Sequence, residues 1–214
     1  MPGPSNPHQA ALDQYRRRAS VYDAELALFE PIRRSAVAKL GLKPGDTVID
    51  AGCGTGLSLP LLHAAVGPHG RVIGIEQCPD MLARANARVR QNRWRNVALI
   101  EASAEDATIT APERGHTADA ALFHFTHDIL RAPAAIANVL SALRPGAVVV
   151  ASGLKWSAPW AWPMNLFVFA AALHSVSSLA GLDAPWSLLG AELAELEVGS
   201  TLAGAVFIAH GRRR

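Results

Sequence analysis

The chain has 214 residues, half of them apolar, so it can bury one full core, and no shift in composition asks for a second domain. Its net charge of +2 is spread over both halves, and Arg16-Arg17-Arg18 and Arg212-Arg213-Arg214 are short clusters typical of solvated faces, so nothing suggests a nucleic-acid groove. Cys53 and Cys78 read as small packing residues of a reducing compartment, with no disulfide, and Met1-Pro2-Gly3-Pro4-Ser5-Asn6-Pro7 lacks the basic-then-apolar layout of a signal peptide. The expectation is a cytoplasmic protein with a disordered tail over 1–10 and one domain over 11–211.

Leu12, Tyr15, Ala19, Tyr22, Leu26 and Phe29 recur at helical spacing, which puts both tyrosines on one face, as plain packing or as part of a lid. Pro31 starts a second helix through Leu40, with Gly41 as its stop. After the turn Lys43-Pro44-Gly45-Asp46, Val48-Ile49-Asp50-Ala51 is a short buried strand. It ends in Gly52-Cys53-Gly54-Thr55-Gly56, and a helix from Leu57 to Ala65 follows. Glycine permits φ > 0 and close approach of backbone to a ligand, while the helix start behind it offers unpaired N–H groups. A dinucleotide fingerprint needs G-x-G-x-x-G and a P-loop needs G-K-[ST]; here the third glycine comes one residue early and no lysine follows. Asp50 at the strand end would repel a pyrophosphate but suits a ligand with an ammonium group.

Asp50-Ala51-Gly52-Cys53-Gly54-Thr55-Gly56 resembles the first motif of class I S-adenosylmethionine-dependent methyltransferases, which implies that Asp50, Gly52, Cys53, Gly54 and Gly56 surround the cofactor. Arg71-Val72-Ile73-Gly74-Ile75-Glu76 is the next strand. Its terminal carboxylate can accept both hydroxyls of a ribose, the role that the resemblance gives to Glu76. Pro79 starts a helix to about Gln91; by resemblance Gln77 and Met81 lie near the adenine, with Leu82, Ala85 and Val89 as core. Val97 to Ile100 is a third strand, and Glu101-Ala102-Ser103-Ala104-Glu105-Asp106 resembles the segment that reads the adenine amino group, through Ser103 and Ala104. The family usually has Asp where this chain has Ser103, a weaker neutral acceptor. The order Tyr15, Arg17, Ala19, Tyr22-Asp23 resembles the N-terminal segment of ubiquinone-type C-methyltransferases and bacterial phosphatidylethanolamine N-methyltransferases. It implies a helical lid over about 11–40, with Tyr15 and Tyr22 against the cofactor.

Ala118 to Phe123 is the fourth strand, with Phe123 beside the cofactor. His124-Phe125-Thr126-His127-Asp128 sits at its carboxyl end, where open α/β sheets bind ligands. Three readings stand for the histidines: metal binding, which lacks a companion ligand set, packing or capping, and site polarity with His127 paired to Asp128 or to substrate. His124, His127 and Asp128 are the candidate catalytic residues, and no metal is expected. Ile129 to Leu143 reads as a helix, Arg144-Pro145-Gly146 as a break, and Ala147 to Ala151 as a buried fifth strand.

From Trp156 to Leu182 no charged residue occurs, while Trp156, Trp160, Trp162, Phe167 and Phe169 do. Pro163, Asn165 and His174 interrupt the run, which argues against a spanning helix. This apolar insertion over about 156–182 either walls a closed acceptor pocket or rests on a membrane or a subunit; the pocket is preferred because a monotopic anchor normally carries lysine or arginine. Pro185 starts a helix to about Glu195, and strands follow around Leu196 to Thr201 and Gly204 to Ala209.

Alternation of strands and helices implies a parallel sheet with helices on both faces. The resemblance implies a Rossmann-like α/β fold of seven strands in order 3-2-1-4-5-7-6, strand seven antiparallel. It also implies S-adenosylmethionine as cofactor, with S-adenosylhomocysteine as product. The expected activity is methyl transfer to oxygen, nitrogen or carbon of a small, apolar or aromatic acceptor, with phospholipid-headgroup N-methylation and a non-catalytic cofactor-binding module as alternatives. An oxygen or carbon nucleophile would need a base such as His127; a neutral amine would not.

Overall fold

A computed structural model describes residues 29–109, 118–175 and 179–214. The expected tail and the tyrosine stripe, with Tyr15 and Tyr22, lie outside the described residues.

Helix α1 (Glu30–Lys39) leads into β1 (Thr47–Ala51) through Gly41, whose φ of +59° stops the helix. Two helix-to-strand steps follow, α2 (Leu59–Val66) to β2 (Arg71–Glu76) and α3 (Pro79–Gln91) to β3 (Val97–Glu101), and then β4 (Ala118–His124). The predicted helix over Ile129 to Leu143 is two pieces, α4 (His127–Leu130) and α5 (Pro133–Ser141), because Pro133 cannot donate into a continuing helix and opens a new one. Strand β5 (Leu143–Leu154) runs through the expected Arg144-Pro145-Gly146 break, at the cost of a register irregularity between Ala118 and Ala120 of β4. After α6 (Trp162–Ser175), the helix begun by Pro185 shortens to α7 (Ser187–Ala191), and β6 (Leu193–Thr201) and β7 (Val206–Arg213) close the chain.

The strands form one seven-stranded sheet in the order β3-β2-β1-β4-β5-β7-β6, with β7 antiparallel to both β5 and β6, as the resemblance implies. Side chains alternate between its two faces with period two. Val48, Val72, Ala120, Leu122 and Val150 join α1, α2, α3 and α6 in one core layer. Ile49, Ile73, Ala121, Phe123 and Val149 join α4, α5 and α7 in the other. Burial on both faces explains why the central strands are almost wholly apolar.

Phe207 of β7 anchors the second layer: it is fully buried, with Trp186 at 5.0 Å and His127 at 6.4 Å between ring centroids. Phe207→Ala should therefore cost about 3–5 kcal/mol, read as a lowered urea midpoint with an unchanged slope.

Candidate functional site

The carboxyl ends of β1, β2 and β4 open on a cleft of about 930 Å³, a figure that includes its open mouth. Gly52, Gly54, Glu76, Gln77, Met81 and Ala104 line one part of it. His124, Phe125, Thr126, Asp128 and Ile129 line the other.

Local geometry builds the first part. The Gly52 and Cys53 N–H groups both donate to the Ile75 carbonyl at 2.9 Å, tying the glycine turn to β2. Gly52 has a φ of +76°, and a Cβ there would fall 2.5 Å from Thr126 Cγ2, so only glycine fits without displacing the opposite wall. Gly56 faces away from the cleft, and a Cβ on it would meet Leu59 and Ala85, so its absence lets α3 pack against the turn. Cys53 is likewise buried, its Sγ packed against Gly74, and burial pushes its thiol pKa up.

Glu76 is the brace of this part. Oε2 accepts the Gly54 N–H at 2.9 Å and Oε1 accepts the Cys78 N–H at 2.7 Å, so one carboxylate holds the turn and the start of α3. The Gln77 N–H is a third backbone donor to this carboxylate, which leaves part of its lone-pair capacity for a ligand hydroxyl. Burial raises the Glu76 pKa and the backbone donors oppose that rise.

Asp50 differs. It is 1% exposed, and its Oδ2 has no hydrogen-bond partner. Burial pushes its pKa up to about 7; the Arg33 guanidinium lowers it and Glu76 adds to the rise. An unpartnered buried carboxylate of this kind can hold a cationic group.

Alternation places Asp50, His124 and Ser152 on the sheet face that α1 covers, because Val48, Leu122 and Val150 lie on that face two residues before each. The charge of Arg33 of α1, which is 2% exposed, ion-paired to Glu30 and missed by sequence reading, acts on both Asp50 and His124. A single arginine on a short helix carries no burial signal, and Glu30 at i−3 is the sole hint.

His124 is held from behind, with Nδ1 2.7 Å from the Ser152 hydroxyl, while Nε2 is buried without a partner. Burial first, then the Arg33 charge, lowers its pKa to about 3, so the ring is neutral at physiological pH. Phe125 follows with a φ of +58°, a left-handed turn rare for a bulky residue. The chain then passes to the other sheet face.

That turn corrects the expectation for His127. Its Nε2 hydrogen-bonds the Leu154 carbonyl at 2.8 Å, it packs on Gly153 and Phe207, and burial lowers its pKa. It therefore fills the packing and capping reading and does not line the cleft, while Asp128 does. The two histidines point into different layers, and among the described residues no set of three metal-ligand side chains converges.

Two further expectations change. Phe123 is fully buried in the second core layer, and Phe125 supplies the aromatic wall instead. The Ser103 hydroxyl caps its own turn, donating to Asp106 Oδ2 at 2.7 Å and accepting the Asp106 N–H at 3.3 Å. Ala102, Ala104 and Glu105 line the cleft there. The preferred pocket wall is also absent among the described residues: Trp160 and Trp162 are 81% and 69% exposed and do not line the cleft.

Residues 48–146 match a family described as a methyltransferase domain. The chain is 27% identical over 152 residues to the demethylmenaquinone methyltransferase of Symbiobacterium thermophilum, covering 68% of this chain and 59% of that protein. It is 31% identical over 115 residues to the 2-phytyl-1,4-naphthoquinone methyltransferase of Synechococcus elongatus, covering 54% and 48%. The chain thus spans less than two thirds of the length of these curated relatives. In fold it is similar to the N-methyltransferase NodS of Bradyrhizobium japonicum, solved in complex with S-adenosylhomocysteine, with a TM-score of 0.66 at 18% identity over 98% of this chain and 99% of that one.

The electrostatics of Asp50 have a measurable consequence. A carboxyl whose folded pKa is raised binds more protons folded than unfolded between 3.8 and about 7, so its contribution to stability is lost as pH rises through that window. His124 and His127, with lowered values, act in the opposite sense on the acid side of 6.5. Asp50→Asn removes only the first effect, so between pH 4 and pH 7 its melting temperature should rise relative to that of the unsubstituted protein, measured by calorimetry without ligand.

Proposed function

We propose, on the premise that this chain is a class I S-adenosylmethionine-dependent methyltransferase by domain and fold, that it methylates a small acceptor with an apolar or aromatic body. The observation that carries the reading is the pairing, at the ends of the adjacent strands β1 and β2, of two unlike carboxylates across one glycine turn. Asp50 is buried with an unpartnered Oδ2; Glu76 is braced by three backbone donors and keeps capacity for one more.

The residues suit the cofactor. Its ammonium answers the unpartnered Asp50 Oδ2, its ribose diol suits Glu76, and its adenine suits the wall of Gln77, Met81, Ala102 and Ala104. Thr126 closes over Gly52 where a side chain would block the backbone. When bound, the cofactor supplies a sulfonium methyl already activated for displacement, so the protein has chiefly to aim the acceptor and exclude water.

On the acceptor side, Phe125, Ile129 and Ala132 offer an apolar wall and His124 Nε2 a polar handle. A ring neutral above about pH 3 is a weak base, so His124 orients a nucleophile by hydrogen bonding and does little to deprotonate it. Relatives bearing the names of quinone methyltransferases agree with an acceptor that has a flat apolar body.

Glu76→Gln tests the reading. It leaves one acceptor oxygen and turns the other into a donor facing the Gly54 or Cys78 N–H, and charged hydrogen bonds are worth roughly 1.5–3 kcal/mol each. Affinity for S-adenosylhomocysteine, measured by calorimetry on folded protein, should fall at least about tenfold. Unchanged affinity, or tighter binding of NAD than of S-adenosylhomocysteine by the unsubstituted protein, would overturn the assignment.

A further inference from the structure

Among the described residues, the buried side-chain atoms without a hydrogen-bond partner are Arg33 Nε, Asp50 Oδ2, His124 Nε2 and Thr126 Oγ1. They gather at one end of the sheet. Asp50 and His124 stand at the carboxyl ends of the paired strands β1 and β4, on the face that α1 covers, and Thr126 reaches across to Gly52, two residues beyond Asp50. Buried polar groups in a folded protein are nearly always satisfied, so this convergence marks a place built for more than folding.

Helix α1 brings its first turn to that place. The ring of Phe29, at the helix start, stands 4.8 Å from Phe125 in the cleft wall, and Arg33 follows at i+4 on the same helix face. Ala36, Val37 and Leu40 continue the stripe into the first core layer, so Arg33 lies on the buried side of the helix and is 2% exposed. Its ion pair with Glu30 does not account for that burial. Glu30 is 36% exposed and its other oxygen lies 3.1 Å from Arg34 Nε, so the acid would be satisfied without a buried guanidinium. Burying a cation is costly unless its charge is used, and the groups on the inner side that feel it are Asp50 and His124.

We propose that Arg33 is a positioning residue of the cofactor site: a buried cation, held on its outer side by Glu30, that keeps the Asp50 carboxylate available in its ionised form for the ammonium of the ligand. Arg33 acts through Asp50 and does not itself touch the ligand. The arrangement answers a conflict in the chemistry. A carboxylate shielded from water holds a cation strongly, yet the same shielding favours its protonated form, which holds none.

The groups that face Asp50 set the balance. Burial raises its pKa to about 7, Arg33 from α1 lowers it, and Glu76 from β2 adds to the rise. His124 from β4 is neutral above about pH 3, and burial pushes the Cys53 thiol in the turn up, so neither brings charge near neutral pH. Glu30, on the far side of the guanidinium, tempers the field that Arg33 exerts inward. The effect on ligand binding rests on the cofactor reading, whereas the coupling of Arg33 to Asp50 does not need it.

Carbon NMR of the Asp50 carboxyl in the ligand-free full chain, with the signal assigned by its loss in Asp50→Asn, tests the coupling. Its midpoint should lie at about pH 7 in the unsubstituted protein, higher in Arg33→Met, and close to the unsubstituted value in Arg33→Lys, which keeps the charge. Glu30→Gln, a change at a partly exposed side chain, should move it the other way, and it carries the test by itself if Arg33→Met does not fold. Calorimetry with S-adenosylhomocysteine reads the consequence. At pH 6 Arg33→Met should bind at least about tenfold more weakly than the unsubstituted protein, and the gap should close as pH rises and both carboxylates ionise. A midpoint that neither Arg33→Met nor Glu30→Gln moves would overturn the proposal. So would a loss of affinity that is equal at every pH, or one that disappears with decarboxylated S-adenosylhomocysteine, since either assigns Arg33 to direct contact with the ligand. If the unsubstituted protein binds no S-adenosylhomocysteine at any pH, the cofactor reading and the ligand role fall together, while shifted midpoints would still establish the coupling.

Discussion

The site depends on a carboxylate kept dry. Asp50 sits at the end of β1 under α1, with one oxygen unpartnered and a pKa pushed up to about 7. Holding it there without a ligand is costly, and the nearby Arg33 offsets part of that cost. The fold tolerates the burden because both sheet faces are packed with apolar side chains, which leaves the carboxyl edge as the place where polar groups gather.

Around that point the two sides of the cleft are built by different means. The glycine turn is made by backbone: N–H groups on Ile75, left-handed glycines, and Glu76 spanning two donors. The other side is made by a single unusual dihedral. Phe125 at φ +58° leaves His124 and Thr126 at the cleft and sends His127 under β5. Its amide donates to the Ser152 carbonyl at 2.8 Å, and the Ser152 hydroxyl holds His124, so one residue of β5 secures both the turn and the ring it exposes.

The apolar outer face of α6 is the third element, and it is linked to the other two by the rings of Phe167, Phe29 and Phe125.

What the sequence by itself determined is local. Short apolar strands bounded by turn residues, the spacing of Gly52, Gly54 and Gly56, the acid at the end of each of the first two strands, and proline at the start of α3 are all encoded within a few residues. The strand order came through resemblance and agrees with the sheet. Tertiary structure decided the rest. Whether His124 or His127 faces the cleft turns on one backbone dihedral, and no spacing rule reads a positive φ at phenylalanine. Whether Ser103 meets a ligand or caps its own turn depends on Asp106 lying within reach. The burial of Arg33 beside Asp50 follows from how α1 packs over β4 and β5, a contact between distant segments. The exposure of Trp160 and Trp162 was illegible for the same reason: an apolar stretch looks the same in sequence whether it fills a core or faces outward, and only the packing of its neighbours decides which.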